Sequence, residues 1–315
     1  MSSSKTDAGA VGALLIVVAA VCFGTLGPLS RFAEDAGVGA LGLVAWRDLL
    51  GAGCVIAFLA FQRRPIFSLR GIPATDRRML ALAAVCNTAL NLAIFVAFLR
   101  ISIALALLLF YLYPAFVALA SVLWFGERLD RLRWAALAIS LTGVVLVVGG
   151  GESLGTVDLL GVGLAAFAGI VQAGYVLIAR HGFNAVPGAQ AGVITMGGAV
   201  GLLLIIGLLT GQAAAFREPL ASLAAFWPVL LAGTLGAGVP TVAFILGIRL
   251  LGASRGAILA TLEPVVGVAL AALLLGERPG PLQLIGGALI IVAGVLLQLG
   301  PYAEGADHEA LASPS

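Results

Sequence analysis

Leu112-Tyr113-Pro114, followed by Gly126-Glu127-Arg128, returns later in the chain as Leu262-Glu263-Pro264, followed by Gly276-Glu277-Arg278. Both parts of the motif recur at an offset of 150 residues without a gap. The same offset aligns Leu109 with Leu259, Leu123 with Leu273, Leu132 with Leu282 and Gly150 with Gly300. Leucine matches are common in so apolar a chain, but an aligned proline and an aligned Gly-Glu-Arg are not. The chain therefore reads as a tandem of two related halves.

The setting of those halves follows from composition. Charged residues make up 10% of the chain, against about 25% in a soluble protein. At 61% hydrophobic, 315 residues cannot hide their apolar surface in a soluble core, so lipid must be the solvent for most of it. A net charge of +2 is too small for a nucleic-acid footprint, and no nucleic-acid partner is expected. Cys22, Cys54 and Cys86 lie within apolar runs, and His181 and His308 lie in a connection and the tail. No cluster has metal-ligand spacing, so neither metal nor cofactor is expected. Lys5 is the only lysine and has no glycine-rich approach, which removes a Walker A phosphate loop.

A spanning helix needs about 20 mostly apolar residues. Ten stretches qualify: 10–31, 39–61, 79–99, 102–125, 134–150, 159–179, 188–209, 227–248, 253–275 and 281–300. The expected fold is an all-α polytopic membrane protein of ten transmembrane helices. It has tails at 1–9 and 301–315 and five-helix repeats at 10–150 and 159–300. With the N-terminus inside, twelve basic residues fall in inner connections: Lys5, Arg63, Arg64, Arg70, Arg77, Arg78, Arg128, Arg131, Arg133, Arg180, Arg249 and Arg255. Only Arg31, Arg100, Arg217 and Arg278 fall outside, and Arg47 lies within span 2. The positive-inside rule puts both termini in the cytoplasm. Five is odd, so two five-span halves must cross the membrane in opposite directions. Inverted repeats of this kind mark secondary carriers, whose substrate sits where the halves meet.

The ten-span layout, with "LYP…GER" closing span 4 and "LEP…GER" closing span 9, resembles the EamA-type drug/metabolite transporter superfamily over about residues 10–300. The resemblance implies an alternating-access exporter of small metabolites in the cell inner membrane. The Phe23-Gly24-Thr25-Leu26-Gly27-Pro28 stretch of span 1 is similar to bacterial amino-acid exporters, aromatic ones included. The halves are not equivalent, because Tyr113 in one becomes Glu263 in the other.

Candidate substrate residues are those that are expensive in a membrane helix. Glu263 is a carboxyl deep in span 9 and must face protein or water. It is either a counter-charge for a substrate ammonium group, a proton-accepting site, or a structural hydrogen-bonding group. Pro264 beside it, like Pro114 in span 4, should kink its helix. Arg47 lies about 13 Å down span 2, where it either holds a substrate carboxylate or pairs with Glu263 or a helix end. Asp48 next to it points about 100° away, so the two are not expected to pair. Trp46 is an interfacial aromatic or a cavity wall. Asn87 and Asn91 share one face of span 3, Gln172 and Tyr175 share one of span 6, and Tyr111 and Tyr113 bring phenols to span 4. These groups suit a polar small-molecule substrate, neutral to zwitterionic, with an apolar side chain.

Gly197/Gly201 and Gly252/Gly256 have the spacing for close helix packing. Gly24, Gly27, Pro28, Gly236, Gly238 and Pro240 are expected to absorb bending. Gly252-Ala253-Ser254-Arg255-Gly256 matches a hydrolase elbow, but it opens a membrane span with no histidine in reach. Asp48 and Glu263 are the only carboxyls at membrane depth, so an intramembrane enzyme could only be of aspartyl type. A channel lacks any filter-like loop. The protein is not expected to be an enzyme, and it is read as a monomer in the bilayer. Cysteines introduced at 126–128 and 276–278 should be labelled by an impermeant reagent from opposite faces of the membrane. Labelling of both from one face would exclude the inverted layout.

Overall fold

The computed structural model describes residues 2–64, 71–125, 131–149, 158–183 and 185–298. The first Gly126-Glu127-Arg128, Gly150, Gly300 and the tail from residue 301 lie outside them. Fourteen α-helices account for most of the described residues, and among these there is no strand. The first expected span is α1 (Ser2–Gly24) and α2 (Leu26–Asp35), interrupted at Thr25, whose hydroxyl bonds the Cys22 carbonyl at 2.6 Å. Spans 2 and 3 are α3 (Ala40–Phe61) and α4 (Ala74–Arg100). Span 4 divides into α5 (Ile103–Phe110) and α6 (Tyr113–Phe125), and α7 (Arg131–Gly149) follows. The second half runs α8 (Leu159–His181), α9 (Gly188–Leu209), α10 (Leu223–Gly233), α11 (Val239–Leu251), α12 (Ala253–Ala260), α13 (Leu262–Leu275) and α14 (Pro281–Gln298).

Eight helical segments are long and apolar enough to cross a membrane. At expected spans 5 and 10 stand the shorter apolar helices Trp134–Val147 and Pro281–Leu296. Exposed Leu14, Leu123, Leu141, Val145, Leu208 and Leu273 give the bundle an apolar exterior.

The kinks expected at Pro114 and Pro264 are short interruptions of the α-helix, at Tyr111–Leu112 and at Thr261, within segments that run on as single spans. Proline has no N–H for the carbonyl four residues back. Around Pro114 the chain closes with tighter bonds, Leu112 N–H to the Leu109 carbonyl at 3.2 Å and Ala115 N–H to that of Leu112 at 2.9 Å. Around Pro264, Thr261 bonds the Ile258 carbonyl through both its N–H and its hydroxyl. A Cβ on Gly169 of α8 would stand 2.9 Å from the freed Phe110 carbonyl, so only glycine lets α8 approach the break. Span 8 has a different interruption, a π-helical turn over Thr234–Gly238, just before Pro240.

Packing obeys an exchange rule. α7 lies on α14, α3 on α9, and α5 on α13. α1 lies on α11, and α4 lies on α8. Swapping the expected spans 1–5 for 6–10 leaves this set unchanged. In lipid there is no hydrophobic drive between helices, so close contact comes from small residues. Of the expected ones, Gly256 is in such contact, a Cβ there lying 3.0 Å from Ile248 and 3.5 Å from Ile16. Gly197 and Gly201 face open space. A Cβ on Gly143 would lie 2.7 Å from the Gly286 carbonyl oxygen, and one on Gly12 would lie 3.2 Å from that of Gly247. Helical spacing identified small residues on one face but not which face meets a neighbour. Gly252, with φ +91°, makes a turn between α11 and α12.

The halves of the broken spans are treated unequally. α5 packs on α13, while among the described residues α6 and α12 share at most marginal contact. Gly276, with φ +70°, turns the chain out of α13. Both carboxylate oxygens of Glu277 then accept from the start of α5, Ile103 N–H at 2.8 Å and Ala104 N–H at 3.3 Å. A nearby ion pair ties α4 to α8, with Arg100 Nε 2.7 Å from Asp158. Slight desolvation pushes the Asp158 carboxyl up, but Gly161 N–H, Arg100 and Leu160 N–H together hold it below the ordinary value. A helix-capping bond contributes about 1 kcal/mol, so Glu277→Ala should favour separation of α5 from α13 about fivefold. A cysteine at Leu107, whose side chain packs on Gly267, would report this as faster maleimide labelling.

Candidate functional site

Four polar side chains form a closed network between α3 and α4. Arg47 is 8% exposed and Asp48 is fully buried. Arg47 Nη1 lies 2.7 Å from Asp48 Oδ1, so these neighbours pair after all. The 100° fan holds for Cβ directions, and the long arginine side chain folds back across it. The same nitrogen donates to Asn91 Oδ1 at 3.2 Å. Asn87 Nδ2 donates to the second Asp48 oxygen at 3.0 Å, and Asn91 Nδ2 donates to the Asn87 Oδ1 at 3.0 Å and to its carbonyl at 2.9 Å. The guanidinium carbon stands 5.7 Å from the Phe95 ring centre. Asn87, Asn91 and Phe95 are spaced by four, so α4 presents one continuous face to the pair. Arg47 Nε is buried without a partner.

A second group forms where the broken spans face each other. The Tyr111 hydroxyl and the Glu263 carboxyl are hydrogen-bonded, joining the break in span 4 to the first turn of α13. Tyr113 stacks beside Tyr111 at 5.7 Å between ring centres, and Phe110 completes an aromatic triad. Glu263 also lies within electrostatic reach of Arg47, without a direct ion pair.

The other expected residues divide. Tyr175 on α8 is hydrogen-bonded to Thr195 on α9 and lies within electrostatic reach of Asp48. Gln172 is half-buried one turn before it. Trp46 is drawn elsewhere. Its indole N–H donates to the Phe216 carbonyl at 2.9 Å, and its ring packs edge-on against Phe226. It therefore pins the connection after α9 to α3. Thr195 and Phe95 were not singled out from sequence. Phe95 was within reach of the helical spacing that paired Asn87 with Asn91, whereas nothing local identifies Thr195.

A family model described as the EamA-like transporter family matches the chain twice, over residues 10–149 and 159–299. The chain belongs to the EamA-like transporter family. It is thus a multi-pass membrane transporter for small molecules. An EamA chain of two matched halves agrees with the repeat read from Pro114 and Pro264. Similar proteins include an uncharacterized transporter, sll1319, of Synechocystis, 31% identical over 61% of this chain and 58% of that protein. The match thus spans less than two thirds of the Synechocystis protein. YcbK of Bacillus subtilis, also an uncharacterized transporter, is 25% identical over 93% of this chain and 95% of its own. An uncharacterized transporter of Archaeoglobus fulgidus is 28% identical over 91% and 95%. A solved crystal structure superposes with a TM-score of 0.64 over 96% of this chain and 99% of that one, at 20% identity, which shows a shared fold alone.

Removing one partner of a buried ion pair strands the other, at a cost of about 3–5 kcal/mol, while replacing both with apolar residues is often neutral. Asp48→Ala should therefore lower the thermal stability of the purified protein sharply. The double variant Arg47→Met with Asp48→Leu should recover most of the loss in the same melt.

Proposed function

We propose that the protein is a secondary transporter that exports small metabolites, amino acids with apolar side chains foremost, across the cytoplasmic membrane by alternating access. Ten crossings are part of this reading, with α7 and α14 as short spans and both termini in the cytoplasm. The observation that carries it is the pairing of the broken spans. Discontinuous helices at matching positions of two repeats are where carriers place their substrate. Here the two breaks bring Tyr111, Tyr113 and Glu263 together from opposite repeats.

Alternating access has support of its own. On the proposed orientation the Gly276 corner is outside. Outer halves α5 and α13 are packed and bridged by Glu277, while inner halves α6 and α12 are not. That asymmetry is what a carrier closed to the outside and loosened toward the cytoplasm requires. The interruptions at Thr25 and at the π-helical turn in span 8 fall in segments packed on each other, α1 and α11, and supply hinges.

Around the breaks, Arg47, Asn87 and Asn91 form one wall, with Gln172 and Tyr175 on α8 beside it. The aromatic triad offers apolar surface, and Glu263 offers a counter-charge for an ammonium group beside the Arg47–Asp48 pair, a fit to a small amino acid with an apolar side chain. Protein reconstituted in liposomes without nucleotide should release preloaded radiolabelled leucine or phenylalanine down a gradient, with unlabelled relatives competing. Flux no faster than in empty liposomes across a broad amino-acid and metabolite panel would refute the substrate class.

A further inference from the structure

The charges inside the bundle do not balance. Among the described residues, the charged side chains set within the spans away from their ends are Arg47, Asp48 and Glu263. One guanidinium serves two carboxyls. Arg47 and Asp48 neutralise each other at 2.7 Å, and the second Asp48 oxygen is taken by Asn87. Tyr175 and Cys86 are the other titratable groups within electrostatic reach of that wall.

Glu263 is the carboxyl left over. Its direct partner is the Tyr111 hydroxyl, a neutral donor, and the Arg47 charge reaches it only at longer range. Among the described side chains, the helices packed on α13 bring no further cation to this depth. α5 brings Tyr111, with Tyr113 just after it, and α1 brings the Cys22 thiol. The arginine of α2, Arg31, is bound at the helix end by the carbonyls of Leu99 and Ile101 and by Glu34. An unpaired carboxylate at membrane depth is costly, so Glu263 needs one more positive charge than the protein supplies.

Two sources can provide it, a proton or a cationic group on the ligand, and they cannot occupy the carboxyl together. We propose that Glu263 is the exchange point of transport, holding either a proton or the ammonium group of the substrate, so that one proton enters for each ammonium-bearing molecule exported. Binding of the ammonium group expels the proton from the carboxyl to bulk water, and reprotonation expels the ligand. The interior is neutral when Glu263 holds a proton or a simple ammonium ion, and a bound amino acid adds only the negative charge of its own carboxylate. The ammonium group is therefore the obligatory feature of the substrate. A carboxylate is tolerated but not required, because Asp48 already holds Arg47.

This inference rests on the transport reading above and has a distinct test. Purified protein in detergent is given radiolabelled L-leucine, with isoamylamine (ammonium, no carboxylate) and 4-methylpentanoate (carboxylate, no ammonium) as competitors. Proton release on leucine addition is followed in weak buffer over a pH series. The expected result is competition by isoamylamine and none by 4-methylpentanoate. Release should approach one proton per bound leucine toward the acid end and vanish where Glu263 is already ionised. Glu263→Gln should bind leucine at least about tenfold more weakly and release no proton. The competition and proton count in the unaltered protein need no variant, so a poorly folding Glu263→Gln leaves the test decisive. Leucine binding with no proton release at any pH, or equal competition by the two analogues, overturns the exchange while leaving an exporter intact. Binding of none of the three overturns the exchange and the amino-acid reading together.

Discussion

Two helices in hydrocarbon gain nothing by hiding apolar side chains from each other, so everything here depends on how closely backbones can approach. The closest approaches join one repeat to the other. Gly143 meets Gly286 at a distance that excludes a Cβ, and Gly12 packs tightly against Gly247. Each first-half helix thereby finds a partner in the second, and the set is unchanged when the halves are exchanged. A pathway between the repeats therefore runs between surfaces of nearly the same construction.

Equivalence stops at the midpoint. Both breaks rest on a proline, but one copy offers Tyr113 and the other Glu263. Glu263 lies within electrostatic reach of both phenols and of Arg47, so chemistry is concentrated where the regular hydrogen-bond ladder is interrupted. Glu277 closes one end by serving a helix of the other repeat, and α6 and α12 lack such close packing.

Much of this was legible in the sequence because lipid is a strict solvent. Apolar length alone located the helices at 188–209 and 159–179, and the doubled motif located both breaks. Two kinds of feature escaped. The pairing of Arg47 with Asp48 depends on side-chain reach, which helical geometry at Cβ does not encode. Gly197 and Gly201 have the spacing of packing residues, yet spacing says nothing about whether a neighbour lies on that side. The bonds from Trp46 to Phe216 and from Tyr175 to Thr195 join positions whose proximity only tertiary packing creates.

The bridge from Glu277 also bears on how the molecule is made. Ile103 and Ala104 leave the ribosome long before residue 277, and their amide hydrogens have no partner within their own helix. Until the last quarter of the chain arrives, the start of α5 must stay at the aqueous boundary or borrow another acceptor. The N-terminal half is thus inserted as an unfinished object, and its maturation is completed by the half that follows.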